Sequence, residues 1–230
     1  MRIIFIRHGE PDYDTDDLTK AGYRQAEIVA ERLKDEGIDE LWSSTMGRAV
    51  QTARFTAEAL GLPLNLTDFI REITWESTDG SVLFADGHPW KVADELARHG
   101  IELNTPDWTT YPDFCNNSVL GEVRRVEEGM DEWLSMHGYN RNGLYYDHAV
   151  KEEKHRTVAI FSHGGSSSAA IAHMLNLPFP YVCAMLHIEF TGITIIRMDR
   201  SKGPGTLPCL ELANDGRHVK EGFYHRLADM

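Results

Sequence analysis

Ile3-Ile4-Phe5-Ile6-Arg7-His8-Gly9-Glu10 joins a short apolar run to a cation, an imidazole and a glycine, and the fold is read outward from it. The run has the length and β-branched content of a strand buried on both faces, as the centre of a parallel sheet requires. Arg7 and His8 therefore emerge at the strand's C-terminal end, where open α/β sheets bind their ligands. Gly9 removes a side chain where the turn must come close to a ligand or take a positive φ.

The same design recurs late in the chain. Thr157 to Phe161 is a second apolar strand, followed by Ser162-His163-Gly164-Gly165 and a helix carrying Ala169, Ala170 and Met174. Two His-Gly strand ends in one parallel sheet would lie side by side. The free N–H groups at that helix start make a ready anion site. Between the two stretches, Thr19 caps a helix with Ala26, Val29, Ala30 and Leu33 on its inner face and Gly37 as its stop. Ile38 to Trp42 reads as a strand, so the unit is strand-helix-strand and the sheet is parallel at its centre. Ser43-Ser44-Thr45 then offers N-cap hydroxyls to a helix with Ala49, Ala53, Ala57 and Leu60 inward and Gly61 at its end. Arg48 falls in the first turn, where the helix dipole disfavours a cation, so it calls for an anion to face. Ile188 to Met198 and Leu207 to Leu212 complete the sheet, the latter as an antiparallel edge, and a charged tail follows Asn214.

Asp12, Asp14, Asp16 and Asp17 alternate like the start of a calcium loop, but Asp17 and Tyr23 stand where that loop needs Gly and Glu. The segment reads instead as a solvated loop at a site rim. From Trp75 to Tyr146 aromatics, Gly and Pro are frequent and apolar periodicity weakens, until Val119, Val123, Val126, Met130, Trp133 and His137 mark a helix face. These features predict an α/β domain with a sheet parallel at its centre, flanked by helices, and an insertion over the sheet. Asn140 to Lys154 reads as a polar connection.

A chain of 230 residues with 42% hydrophobic content can bury a core without staples. Its net charge of -13 argues against nucleic acid or an anionic membrane as partner, because both need a basic field. Cys115, Cys183 and Cys209 form no C-x-x-C pair, which suits a reducing cytoplasm. There is no signal-peptide pattern and no run long enough to span a bilayer. The eleven His include no H-E-x-x-H or similar spacing, so no metal or cofactor is expected. His173 and His187 stand in apolar contexts and read as satisfied core residues, and the insertion's Trp and Phe read mainly as its own core.

Arg7-His8-Gly9-Glu10, Leu18-Thr19 with Gly22 and Gln25-Ala26, Ser43-Ser44 with Arg48-Ala49 and Gln51-Thr52, and Ser162-His163-Gly164-Gly165 together resemble the histidine phosphatase superfamily, the phosphoglycerate-mutase-like group. The resemblance spans Met1 to Leu66 and Thr157 to about Met198. It implies a single α/β domain over residues 1–230, three-layered with a mostly parallel central sheet flanked by helices, and a variable cap insertion at about 75–150 over the active site. It also implies that His8 is a transiently phosphorylated nucleophile and that Arg7, Arg48 and His163 complete the phosphate pocket. The family's acid lies after the second helix in a Leu-x-Glu-like pattern; Phe69-Ile70-Arg71-Glu72-Ile73 matches, making Glu72 the choice and Glu76 the fallback. Pro11, Asp12 and Tyr13 replace the Ser or Thr, and the mutases' Trp-Asn, that follow this motif in the family. The chemistry agrees: a transferring phosphoryl group needs fixed cations around its oxygens, and an imidazole attacks only through an unprotonated nitrogen.

The expected function is a metal-independent phosphomonoesterase acting on a small-molecule phosphate through phosphohistidine. A phosphoglycerate mutase would need to hold a doubly phosphorylated sugar acid. Between Glu72 and Arg124 only Lys91 and Arg98 stand against nine acidic residues, so that reading ranks below phosphatase. A third reading is a non-catalytic phospholigand binder on the same fold. Asp79, Asp86, Asp94, Glu95 and Asp113 are expected to face the substrate and to favour monophosphates with a neutral, apolar or cationic body.

Overall fold

A computed structural model describes residues 1–148, 155–198 and 205–219. Six strands form the central sheet: β1 (Arg2–Arg7), β2 (Glu40–Ser44), β3 (Leu64–Thr67), β4 (Thr157–Ser162), β5 (Ile193–Met198) and β6 (Pro208–Asp215). Their order is β6-β5-β1-β4-β2-β3. The pairs β1–β4, β4–β2 and β2–β3 are parallel, whereas β5 and β6 are antiparallel additions at one side. β4 is buried along its whole length, as expected of a central parallel strand covered on both faces.

Alternation along the strands divides the core into two layers. Ile4, Ile6, Leu41, Ala159 and Phe161 pack with Val29 and Leu33 of α1 (Lys20–Leu33) and Ala53 of α2 (Gly47–Leu60). Ile3, Phe5, Val158 and Ile160 face the other way, toward Trp133 and Met130 of α4 (Val119–Met136), Ala169 and Ala170 of α5 (Gly164–Leu175), and Phe179 and Cys183 of α6 (Phe179–Met185). The remaining long helix, α3 (Pro89–Arg98), buries Val92, Ala93 and Leu96 in the same layer. This is a three-layer α/β architecture. Among the described residues no helix is long and apolar enough to cross a membrane.

Several local expectations hold. Thr19 caps α1 by accepting the Gly22 N–H at 3.1 Å, and Gly37 and Gly61 close their helices at φ 65° and 64°, a conformation that spares glycine a Cβ clash. Others are corrected. The second strand runs on through Ser43 and Ser44, so the cap residue of α2 is Met46, whose side chain makes no capping bond. Asp16, far away in sequence, supplies the carboxylate that accepts the Gly47 N–H at 2.6 Å. The stretch before Ile193 is loop rather than strand, because Thr191 turns to φ 55° and donates its N–H to Arg7 O at 3.0 Å. The supposed polar connection contains a hairpin, Tyr139–Asn142 with Tyr145–His148; residues 149–154 lie outside the described residues, as does the tail from 220 onward.

Candidate active site

Register alone brings the two His-Gly strand ends together. Arg7 pairs with Ser162 across β1 and β4, and the His8 N–H donates to Ser162 O at 2.9 Å, so the His8 and His163 rings stand 5.1 Å apart. Ser44 ends the adjacent strand, and its Oγ lies 2.8 Å from His163 Nε2. Arg48, the second residue of α2 and 5% exposed, points its Nε at His8 Nε2 across 3.2 Å.

The ring of His8 is oriented by its own turn. Nδ1 lies 2.7 Å from Gly9 O, a contact in which the nitrogen must donate, leaving Nε2 as the unprotonated acceptor facing Arg48. Gly9 is required here for close approach rather than for a positive φ: a Cβ would come within 2.6 Å of Gly22 O. Burial, and secondarily the charges of Arg7 and Arg48, hold His8 well below the usual histidine range. His163 is likewise held well below it by burial first, then by His8 and Arg48. Its Nδ1 is buried without a partner among the described residues.

Arg7 is fixed from below. Its Nη1 donates to Ile188 O at 2.6 Å, and its Cζ sits 4.2 Å above the Phe190 ring. Nε of Arg7 is likewise buried without a partner among the described residues, so this donor and the His163 ring nitrogen both stand open to a ligand. The anion that Arg48 calls for is Asp16, which pairs with Nη1 and comes from the acidic loop. The polar motif residues around the turn hold it: Thr52 Oγ1 accepts the Gly9 N–H at 3.0 Å, Gln25 accepts that of Glu10 at 2.7 Å, and Gln51 that of Leu18 at 2.8 Å.

The helix-start N–H groups after His163 are occupied by a protein carboxylate. Glu72 accepts from Ser166 N at 2.9 Å, Gly165 N at 3.3 Å and its own neighbour Ile73 N at 3.0 Å. Arg125 of α4 braces that segment, donating to Phe69 O at 2.6 Å and Arg71 O at 3.1 Å. Glu76 is exposed, its backbone N–H taken by Ser118 Oγ at 2.8 Å. Arg7, His8, Arg48, His163 and Glu72 are thus brought to one place, and Glu76 is not.

A cleft of about 530 Å³ opens from Arg7 and Glu72 toward solvent, walled by Tyr13, Trp75, His88, Trp90, Ala184 and Ile188. A larger groove of about 650 Å³ along α1 shares none of these residues. One expectation about the insertion changes. Of the acidic residues expected to face a substrate only Asp94 lines the cleft, and Lys91 and Arg98 stand beside it; these cations grow on the same face of α3 at helical spacing. Trp108 and Phe114 are buried and meet edge to face at 5.2 Å, whereas Trp75 and Trp90 are half-buried in the cleft wall. His187 is no core residue: its side chain is 52% exposed and borders the cleft. His173 is held by Asp131 at 2.9 Å.

Sequence reasoning placed Asp16 in a rim loop without its pairing to Arg48, and missed Arg125 and His88. Only Asp16 carried a signal, an acid in the loop that follows a motif rich in cations. Arg125 and His88 reach the site through contacts distant in sequence.

A family model described as the histidine phosphatase superfamily, branch 1, matches residues 3–206. A probable phosphoglycerate mutase of Yersinia pestis is 34% identical over 233 residues, covering 95% of each chain. A putative phosphoserine phosphatase of Hydrogenobacter thermophilus is 23% identical over 210 residues, covering 87% of this chain and 91% of its own. Among solved structures, a phosphoserine phosphatase of Entamoeba histolytica in complex with 3-phosphoglyceric acid superposes with a TM-score of 0.62 at 22% identity, covering 95% of this chain and 98% of that one. A mycobacterial glucosyl-3-phosphoglycerate phosphatase with inorganic phosphate gives 0.64 at 23% identity, covering 95% and 99%. These two likenesses bear on the fold.

Proposed function

Because the chain belongs to the histidine phosphatase superfamily, a group of phosphatase- and mutase-type enzymes, we propose that it hydrolyses small-molecule phosphomonoesters through a phosphohistidine on His8, without a metal or cofactor. The observation that carries this reading is the His8 ring itself: Nδ1 is tied to Gly9 O and Nε2 is left as an acceptor beside Arg48. Nε2 attacks phosphorus while Arg7, Arg48 and His163 meet the three peripheral oxygens, whose charge grows in the transition state. The ester oxygen leaves with a proton from Glu72. Water, deprotonated by Glu72, then breaks the P–N bond and releases inorganic phosphate.

The residues at about 75–150 act in this reading as a cap over the sheet's C-terminal edge, within a single domain spanning residues 1–230. A cytoplasmic enzyme suits the three unpaired cysteines, and the acidic charge leaves no role for nucleic acid or a membrane. The mutase reading has one observation in its favour, the 34% identical relative. Against it, Lys91 and Arg98, which would have to hold a second phosphate, are engaged by Asp86 at 3.0 Å and Asp94 at 2.7 Å. Rapid quenching with labelled phosphomonoester in the presence of a chelator should give an acid-labile, alkali-stable phosphoenzyme that His8→Ala lacks. Label retained by the variant, label lost with the chelator, or transfer to phosphoglycerate faster than to water would overturn the proposal.

A further inference from the structure

The wall of the cleft next to Arg7 is built of flat rings. Trp75 and His88 lie 4.5 Å apart between centroids, His88 and Trp90 5.1 Å, and Trp75 and Trp90 6.2 Å at an interplanar angle of 76°. The cluster adjoins the cationic end of the cleft directly. A Cβ built on Gly164 would lie 3.6 Å from Arg7 Cζ and also 3.7 Å from Cζ2 of Trp90. Gly164 is thus the bare floor on which a guanidinium and an indole edge converge, and a phosphate on Arg7 has its first ester atoms beside Trp90.

Ala184 and Ile188 add aliphatic lining that offers no hydrogen bonds from its side chains. Of the polar residues in the lining, Lys91 and Arg98 are paired with carboxylates, while Tyr13 and His187 add polar edges to the cleft. Against the faces of the rings a hydroxylated or charged body would lose water, whereas a flat ring would exchange that water for aromatic contact. At about 530 Å³ the space also exceeds what a phosphate with a two- or three-carbon body needs, and falls within the ordinary range for larger organic ligands.

We propose that this cleft selects phosphomonoesters whose alcohol carries a planar aromatic or heteroaromatic ring one or two bonds beyond the ester oxygen, the ring stacking on Trp90 with Trp75 and His88 behind it. The proposal rests on the phosphatase reading for turnover but not for binding, and the test keeps the two apart. Benzyl phosphate and cyclohexylmethyl phosphate share a primary-alcohol leaving group and a carbon skeleton and differ in planarity. In the native protein kcat/KM for benzyl phosphate should exceed that for cyclohexylmethyl phosphate by about three- to tenfold. The ratio should fall toward one in Trp90→Leu, and in Trp75→Leu to a lesser degree. Calorimetric titration of His8→Ala with both esters should give the same order in Kd. Ring-selective binding with neither ester turned over would leave the stacking site standing and remove the hydrolase reading. Equal kcat/KM and equal Kd for the two esters, or a preference that survives both tryptophan substitutions, would overturn the stacking site.

Discussion

His8 faces two cations and yet has to remain a nucleophile, and its surroundings reconcile the two demands. Burial and the charges of Arg7 and Arg48 oppose protonation, so the neutral ring persists below the pH at which an exposed histidine would charge, about 6.5. The acid limb of kcat/KM should therefore lie below that value, and a limb at or above it in the free enzyme would show that the ring is not held neutral. The same shift couples to folding. His8 and His163 take up protons in the unfolded chain near their ordinary pKa but resist doing so in the fold, so the unfolded state binds more protons as pH falls through that window. Stability should fall from about pH 6.5 downward and level off only below the folded-state values. Denaturant unfolding of the native protein and of His163→Gln at pH values about 1.5 units either side of the ordinary histidine pKa should give a shallower slope in the variant.

Arg7, His8, Arg48 and His163 were legible from the sequence because each sits within a few residues of a strand end or helix start, where local pattern dictates direction. The contact from Asp16 to the start of α2 was not, since a capping carboxylate from another loop leaves no mark on the helix it caps. At the scale of elements the same division holds. β1, β4, α1 and α2 follow apolar periodicity, and their caps and stops fall where Thr19, Gly37 and Gly61 place them. The hairpin at Tyr139–His148 was missed because Tyr139 and Tyr146 alone in it are fully inward, too few to make an alternation.

The junction of α5 with the segment carrying Glu72 is where the side chains of Glu72 and Ile73 pack directly on the bare backbone of Gly165. A Cβ on Gly165 would come within 2.5 Å of Ile73 Cγ1 and 2.8 Å of Glu72 Oε1, so Gly165→Ala should push Glu72 away from the α5 N–H groups. It should cost about 1–3 kcal/mol of stability by overpacking. Its effect on turnover should copy that of Glu72→Gln: about a hundredfold slower with alkyl phosphates, far less with nitrophenyl phosphate, whose phenolate leaves without a proton. Single-turnover rates for both variants and for Glu76→Gln test this. If Glu76→Gln carries the leaving-group dependence and Glu72→Gln does not, the acid has been misassigned.

The whole molecule bears a net charge of -13 while the pocket concentrates two arginines, so the far field and the near field act on an anionic substrate with opposite signs. The sequence suggested that carboxylates of the insertion would discriminate at close range against extra anionic groups. The cleft instead sets Lys91 and Arg98 beside Asp94, each cation paired, which leaves the rim close to neutral. Discrimination against a second phosphate must then come from the remote charges, and remote charges are screened first: the Debye length is about 30 Å at 0.01 M salt and about 8 Å at 0.15 M. The comparison of 1-butyl phosphate with the bisphosphate of 1,4-butanediol isolates this effect, since the two differ by the distal phosphate. The preference for the monophosphate in kcat/KM should be largest at low salt and should shrink by about threefold or more over that range. A preference unchanged by salt would place the discriminating carboxylates inside the cleft, and Asp94→Asn would then have to abolish it.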